Sequence, residues 1–121
     1  MQQKVPGKKK VLVVDDEREC CELLKKFFLR RDYIVDTAYD GMQAKNLLEV
    51  RKYDYIFFDC NMPELSGVEL VKVIKEKNPE AKRVMISGYG YIEENFAKQL
   101  DVDIFLNKPV TLKDIEGIIS G

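Results

Sequence analysis

The stretch Tyr55-Ile56-Phe57-Phe58-Asp59-Cys60-Asn61-Met62-Pro63 decides how the rest of the chain is read. Tyr55 to Phe58 is a short run of aromatic and β-branched residues, the pattern of a strand buried on both faces. The run gives out at a single acid, Asp59, and Pro63 keeps the strand from continuing. An acid at the carboxyl end of a central strand sits where open α/β sheets bind their ligands.

The segments on either side repeat this plan. Val11–Val14 is an apolar run ending in Asp15-Asp16-Glu17, followed by a helical spacing of Cys21, Leu24, Phe27 and Phe28. Asp16 is the expected N-cap of that helix, with Glu19 three residues on. Tyr33–Ala38 reads as a second strand, and Asp40-Gly41 with Gln43 as the capping start of a helix carrying Ala44, Leu47 and Leu48 and ending near Lys52. After the third strand, Ser66 and Glu69 form a capping box for a helix bearing Val68, Leu70, Val71 and Ile74, which Asn78-Pro79 stops. Arg83–Ile86 is a fourth strand leading into Ser87-Gly88, with a helix expected on Ile92, Phe96, Ala97 and Leu100. Ile104–Leu106 is a fifth strand running into Asn107-Lys108-Pro109, where a cis peptide is conceivable. Thr111 and Asp114 cap a last helix with Leu112, Ile115, Ile118 and Ile119.

Five strands alternating with five helices predict an α/β protein with a parallel sheet covered on both sides. The doubly wound order 2-1-3-4-5 fits the count and puts the switch point between strands one and three. Asp15, Asp16 and Asp59 then meet at the carboxyl edge, and Ser87 and Lys108 arrive there from strands four and five.

Composition removes several classes. The 121 residues suffice for one domain, read as a polar tail over residues 1–10 and a single folded unit over 11–121. A net charge of −1 gives no support for direct nucleic-acid binding, and no apolar stretch approaches membrane-spanning length. Cys20, Cys21 and Cys60 lack framework spacing and fit free thiols in a reducing, cytoplasmic setting. With no histidine in the chain, imidazole ligands, histidine bases and phosphohistidine of its own are all excluded.

Three convergent carboxylates do not all stay ionised without a compensating charge. A hard dication with oxygen ligands, Mg²⁺ or Mn²⁺, is the simplest partner, and a carboxylate can itself become an aspartyl-phosphate. Lys108 and the Ser87 hydroxyl could contact the remaining phosphoryl oxygens. Taken singly, a Lys or Ser at a strand end is an ordinary solvated residue; with the three acids at one edge, a site is the better reading.

In Val13-Val14-Asp15-Asp16-Glu17, Asp40-Gly41, Asp59 with Met62-Pro63 and Gly67, Ser87-Gly88 and Lys108-Pro109, in this order, the chain resembles the receiver domains of two-component response regulators, from Val11 to about Ile119. The resemblance implies a flavodoxin-like receiver fold with Asp59 as phosphoacceptor. The phosphoryl group would come from the phosphohistidine of a sensor histidine kinase or phosphotransfer protein, or from a small donor such as acetyl phosphate. It implies Asp16 and Asp59 as direct metal ligands, Asp15 acting mainly through a water, and the backbone carbonyl of Asn61 as a further ligand. Ser87 and Phe105 match the switch pair, and Lys108 the lysine that pairs with the phosphoryl group. Asn61 and Tyr89 fall where the family tunes dephosphorylation. Cys60 replaces a commoner aliphatic residue and reads as packing, and Phe105 lacks the hydroxyl frequent at its position. Phosphorylation is then expected to shift the surface of the fourth helix, fifth strand and last helix toward an output domain or partner protein, as a monomer or a phosphorylation-linked dimer.

Three other readings compete. An aspartate-nucleophile phosphatase needs a second acid two residues after the nucleophile, and Asn61 there cannot shuttle a proton, so no turnover on phosphate monoesters is expected and catalysis is limited to the protein's own phosphorylation and dephosphorylation. A flavin carrier on the same fold needs a neutral first loop, whereas Asp15-Asp16-Glu17 repels a phosphate; a colourless protein separates the two. A docking scaffold that is not regulated by phosphorylation would not need the intact acid set.

Overall fold

In the computed structural model, which describes residues 8–60, 65–88, 99 and 101–120, five parallel strands form one sheet in the order β2-β1-β3-β4-β5. The strands are β1 (Lys10–Val14), β2 (Ile34–Ala38), β3 (Tyr55–Asp59), β4 (Lys82–Ser87) and β5 (Ile104–Asn107). Among the described residues there are four helices: α1 (Arg18–Leu29), α2 (Gly41–Val50), α3 (Gly67–Lys77) and α4 (Leu112–Ser120). The helix expected on Ile92, Phe96, Ala97 and Leu100 lies outside the described residues, as do Asn61, Met62, Pro63 and Tyr89. No described helix is long and apolar enough to cross a membrane.

The alternation of side chains along each strand divides the core in two. Leu12, Val14, Ile56, Phe58 and Met85 face one side, where Ala44 and Leu48 of α2 and Leu70, Val71 and Ile74 of α3 close over them. Val11, Val13, Phe57, Val84 and Ile86 face the other, against Cys21, Leu24, Phe27 and Phe28 of α1 and Ile115 of α4. Phe28 anchors this second layer, its ring centroid 5.4 Å from Phe57 and 5.0 Å from Tyr33. The β3 run is therefore buried on both faces, as its composition requires, with Ile56, Phe57 and Phe58 fully inaccessible. Cys60 packs into the first of these layers as a small buried residue.

Pairing in register carries this order to the carboxyl edge. Val14 lies beside Phe58 and Asp59 beside Ile86, so the chain leaves β1 and β3 at the same level. Ser87 pairs with Asn107, and the Lys108 amide donates to the Ser87 carbonyl at 2.8 Å. At the opposite margin β2 is an edge strand. Its Asp36 accepts two hydrogen bonds from Arg51 (3.0 and 3.2 Å) and one from the Tyr53 hydroxyl (2.7 Å).

Two capping boxes form as the spacing predicts. Ser66 and Glu69 exchange side-chain and backbone hydrogen bonds at the start of α3, and Thr111 and Asp114 do so at the start of α4. The α1 cap differs: it is Glu17, not Asp16. Asp15 Oδ1 accepts the Glu17 N–H at 2.9 Å, and that local turn delays the helix by one residue. At α2 the Asp40 side chain caps Gln43 as expected, but the Gln43 side chain accepts from the Tyr39 N–H, one residue short of a true box. That helix ends at Val50, because Arg51 is already extended. In α4 only Ile115 is fully buried, while Leu112 stays exposed. Lys10 already belongs to β1, one residue inside the expected tail.

Candidate functional site

Each acid reaches the edge for a different local reason. Asp59 is the last residue of β3 and only 6% exposed. Asp15 follows β1 directly; its amide donates to the Ala38 carbonyl at 3.0 Å, which seats it beside β2, and it is 1% exposed. Asp16 follows on the solvent side. The carboxylate oxygens of Asp15, Asp16 and Asp59 offer ligand atoms within 4.8 Å of one another. Just after β3 the Cys60 N–H donates to the Ile86 carbonyl at 2.9 Å, and the Gly67 N–H at the start of α3 donates to the Cys60 carbonyl at 3.0 Å. A Cβ on Gly67 would stand 2.8 Å from Cys60 Cα, so only glycine lets α3 start this close to the site.

Lys108 enters from the far side of the sheet, across a cis peptide to Pro109. Its ammonium lies 3.0 Å from Asp59 Oδ2, 3.0 Å from Glu17 Oε1 and 3.4 Å from Asp15 Oδ2. Burial alone lowers the pKa of this lysine. The hydrogen bonds to Asp59 and Glu17, with the charges of Asp15 and Asp59, outweigh burial and leave it more basic than a free lysine. Ser87 is fully buried at the end of β4, and Phe105, half-buried on β5, packs against the layer of Phe58 and Met85.

Three carboxylates, Asp15, Glu17 and Asp59, thus face one ammonium with Asp16 close by, and Asp15 Oδ2 is buried without a hydrogen-bond donor. That charge deficit and that orphaned oxygen fit a hard dication with oxygen ligands. The structure brings together Asp15, Asp16, Asp59 and Lys108, and it places Ser87 at the adjoining strand end. The Asn61 carbonyl lies outside the described residues. Glu17 was given no role by the sequence, because its place at the N-cap and its contact with Lys108 emerge only in the fold.

These features coincide with a known family. The model of the response regulator receiver domain matches residues 11–120, and the chain belongs to that family. Response regulator GtcR of Aneurinibacillus migulanus is 32% identical over 112 residues, covering 84% of this chain and 42% of its own length. The chain spans less than half the length of the first curated relatives it matches. Among solved structures, a response regulator of Burkholderia pseudomallei with a phosphorylated aspartic acid and a calcium ion superposes with a TM-score of 0.83 at 27% identity, covering 90% of this chain and 65% of the other. TrrA of Thermotoga maritima, a response regulator solved in complex with Mg²⁺ and beryllofluoride, gives 0.81 at 28% identity over 93% and 96% of the two chains. The class these findings define is the receiver domain of two-component response regulators.

Proposed function

We propose that the chain accepts a phosphoryl group on Asp59 from the phosphohistidine of a sensor histidine kinase or a phosphotransfer protein, and that this switches a surface read by an output domain or partner. The observation that carries the reading is the convergence of three carboxylates within 4.8 Å, with Lys108 hydrogen-bonded to Asp59 at 3.0 Å. In the transfer, an Asp59 oxygen attacks phosphorus, a P–O bond forms and the P–N bond breaks, and its electron pair returns to the imidazole nitrogen of the donor. Asp16 and Asp59 would hold Mg²⁺ (or Mn²⁺) directly, Asp15 through a water, and Asn61 through its backbone carbonyl. When bound, the dication neutralises charge building on the phosphoryl oxygens.

The protein's own groups do the rest. Lys108 needs only a short swing from Asp59 to a phosphoryl oxygen, and the Ser87 hydroxyl turns toward another. With Ser87 drawn inward, Phe105 follows, which biases the face of β5, α4 and the fourth helix expected from the sequence between two existing states. Turnover on outside substrates is not part of this reading, and the setting is the cytoplasm.

Calorimetric titration with beryllofluoride and Mg²⁺ tests the site: the wild type binds and Asp59→Ala does not. Binding that survives the substitution would overturn the reading. Phosphotransfer from candidate kinases to the two proteins side by side then identifies the donor.

A further inference from the structure

Glu17 breaks the rule of its own helix. N-caps favour short polar side chains that fold back onto the first-turn N–H groups, and Glu17 makes no such bond. Its backbone is nevertheless fixed. The N–H donates to Asp15 Oδ1 at 2.9 Å, and the carbonyl accepts from the Cys20 and Cys21 amides at 3.1 and 3.2 Å. From this anchored point the side chain reaches across the site to Lys108 Nζ, at the same 3.0 Å distance as Asp59. The lysine is therefore held between two buried acids, Asp15 and Asp59, and one acid that is 65% exposed. Glu17 does not belong to the group of three acids whose oxygens share one metal-sized space.

We propose that Glu17 is a positioning residue that tethers Lys108 on the solvent side and sets the balance between cation and anion at the site. Its charge adds to the attraction for a dication and opposes an arriving phosphoryl group. Its hydrogen bond restrains the ammonium that the phosphoryl oxygens must recruit. Both effects are modest because the carboxylate is exposed to solvent and screened. The inference rests on Asp59 as phosphoacceptor, and it assigns to Glu17 a share in setting how readily that acid is loaded.

Glu17→Gln keeps the length and the hydrogen-bonding capacity, removes the charge and costs no cap. The chain has no tryptophan, so isothermal titration calorimetry is the readout. The expected result is opposite movement: Mg²⁺ affinity falls and beryllofluoride affinity at saturating Mg²⁺ rises, each by about two- to fivefold, the range of an exposed ion pair. Glu17→Asp keeps the charge but withdraws it by one methylene, so Mg²⁺ affinity returns toward wild type while beryllofluoride affinity, freed of the tether but still opposed by the charge, falls between wild type and Glu17→Gln. A mere loosening of α1 weakens both ligands, and that result, or no change in either, overturns the proposal. If the wild type itself takes no beryllofluoride, the phosphoacceptor reading fails instead, and the Mg²⁺ measurement still tests the charge of Glu17.

Discussion

A buried thiol is stable only while it keeps its proton. Cys21 is wholly inaccessible, its Sγ–H donates to the Asp15 carbonyl at 3.3 Å, and burial, followed by the charge of Asp15, pushes its pKa from 9.0 up to about 12. The folded value lies above the unfolded one, so the contribution to stability is intact below about pH 9 and is lost progressively toward pH 12. The slope cannot exceed about 1.4 kcal/mol per pH unit for one group. In metal-free protein the melting temperature is expected to fall more steeply from pH 9 to 11 in wild type than in Cys21→Ala, whose starting value at pH 8 is lower; equal slopes would refute this. At this scale Asp15, Asp59 and Lys108 were legible because each stands at or just past the point where an apolar run stops. Glu17 was not, because its role depends on a lysine 91 residues away, and an acid next to two others looks like ordinary first-turn charge.

Among the elements, glycines show how much a helix start depends on its neighbours. Gly41 opens α2, and a Cβ there would stand 2.2 Å from Leu65 Cβ and 2.5 Å from the Leu65 carbonyl oxygen. Gly117 lies within α4 with nothing near its missing Cβ. Gly41→Ala is expected to cost about 1–3 kcal/mol through forced displacement of the loop. Gly117→Ala should instead stabilise by about 0.5–1 kcal/mol by removing backbone freedom from the unfolded chain. Urea melts of the two variants read the opposite signs directly. The sequence marked Asp40-Gly41 as a turn and cap, which the structure bears out through the Asp40 to Gln43 bond. The tighter reason for glycine, the approach of Leu65, comes from tertiary packing and leaves no local trace. Capping boxes were readable because both halves lie within four residues; the α1 cap was missed because the side chain of Asp15 intervened.

For the whole molecule, adjacent phenylalanines support different halves of the core. Phe57 belongs to the layer under α1 and α4, Phe58 to the layer under α2 and α3, and both are 0% exposed. Phe57→Ala and Phe58→Ala are each expected to cost about 3–5 kcal/mol. Against a total of about 5–15 kcal/mol for a domain, either variant should show a urea midpoint far below wild type by circular dichroism. A small loss at one position and a large one at the other would mean that only one layer holds the sheet. The strand order was legible because alternating strands and helices leave few right-handed topologies. That order already put β2 at a margin; what guards it there depends on contacts between segments and was not legible.

That margin has a consequence for life at high concentration. Among the described residues the outer edge of β2 pairs with no further strand, and Ile34 on it is 41% exposed, so the strand is a natural place for a second molecule to add its own strand. Asp36 sits in the middle of that strand, clasped by Arg51 and Tyr53. A second copy adding its strand there would have to lie beside that carboxylate, so the clasp that ties β2 to the loop before β3 also fixes a charge on the open edge, the kind of feature that disfavours edge-to-edge pairing.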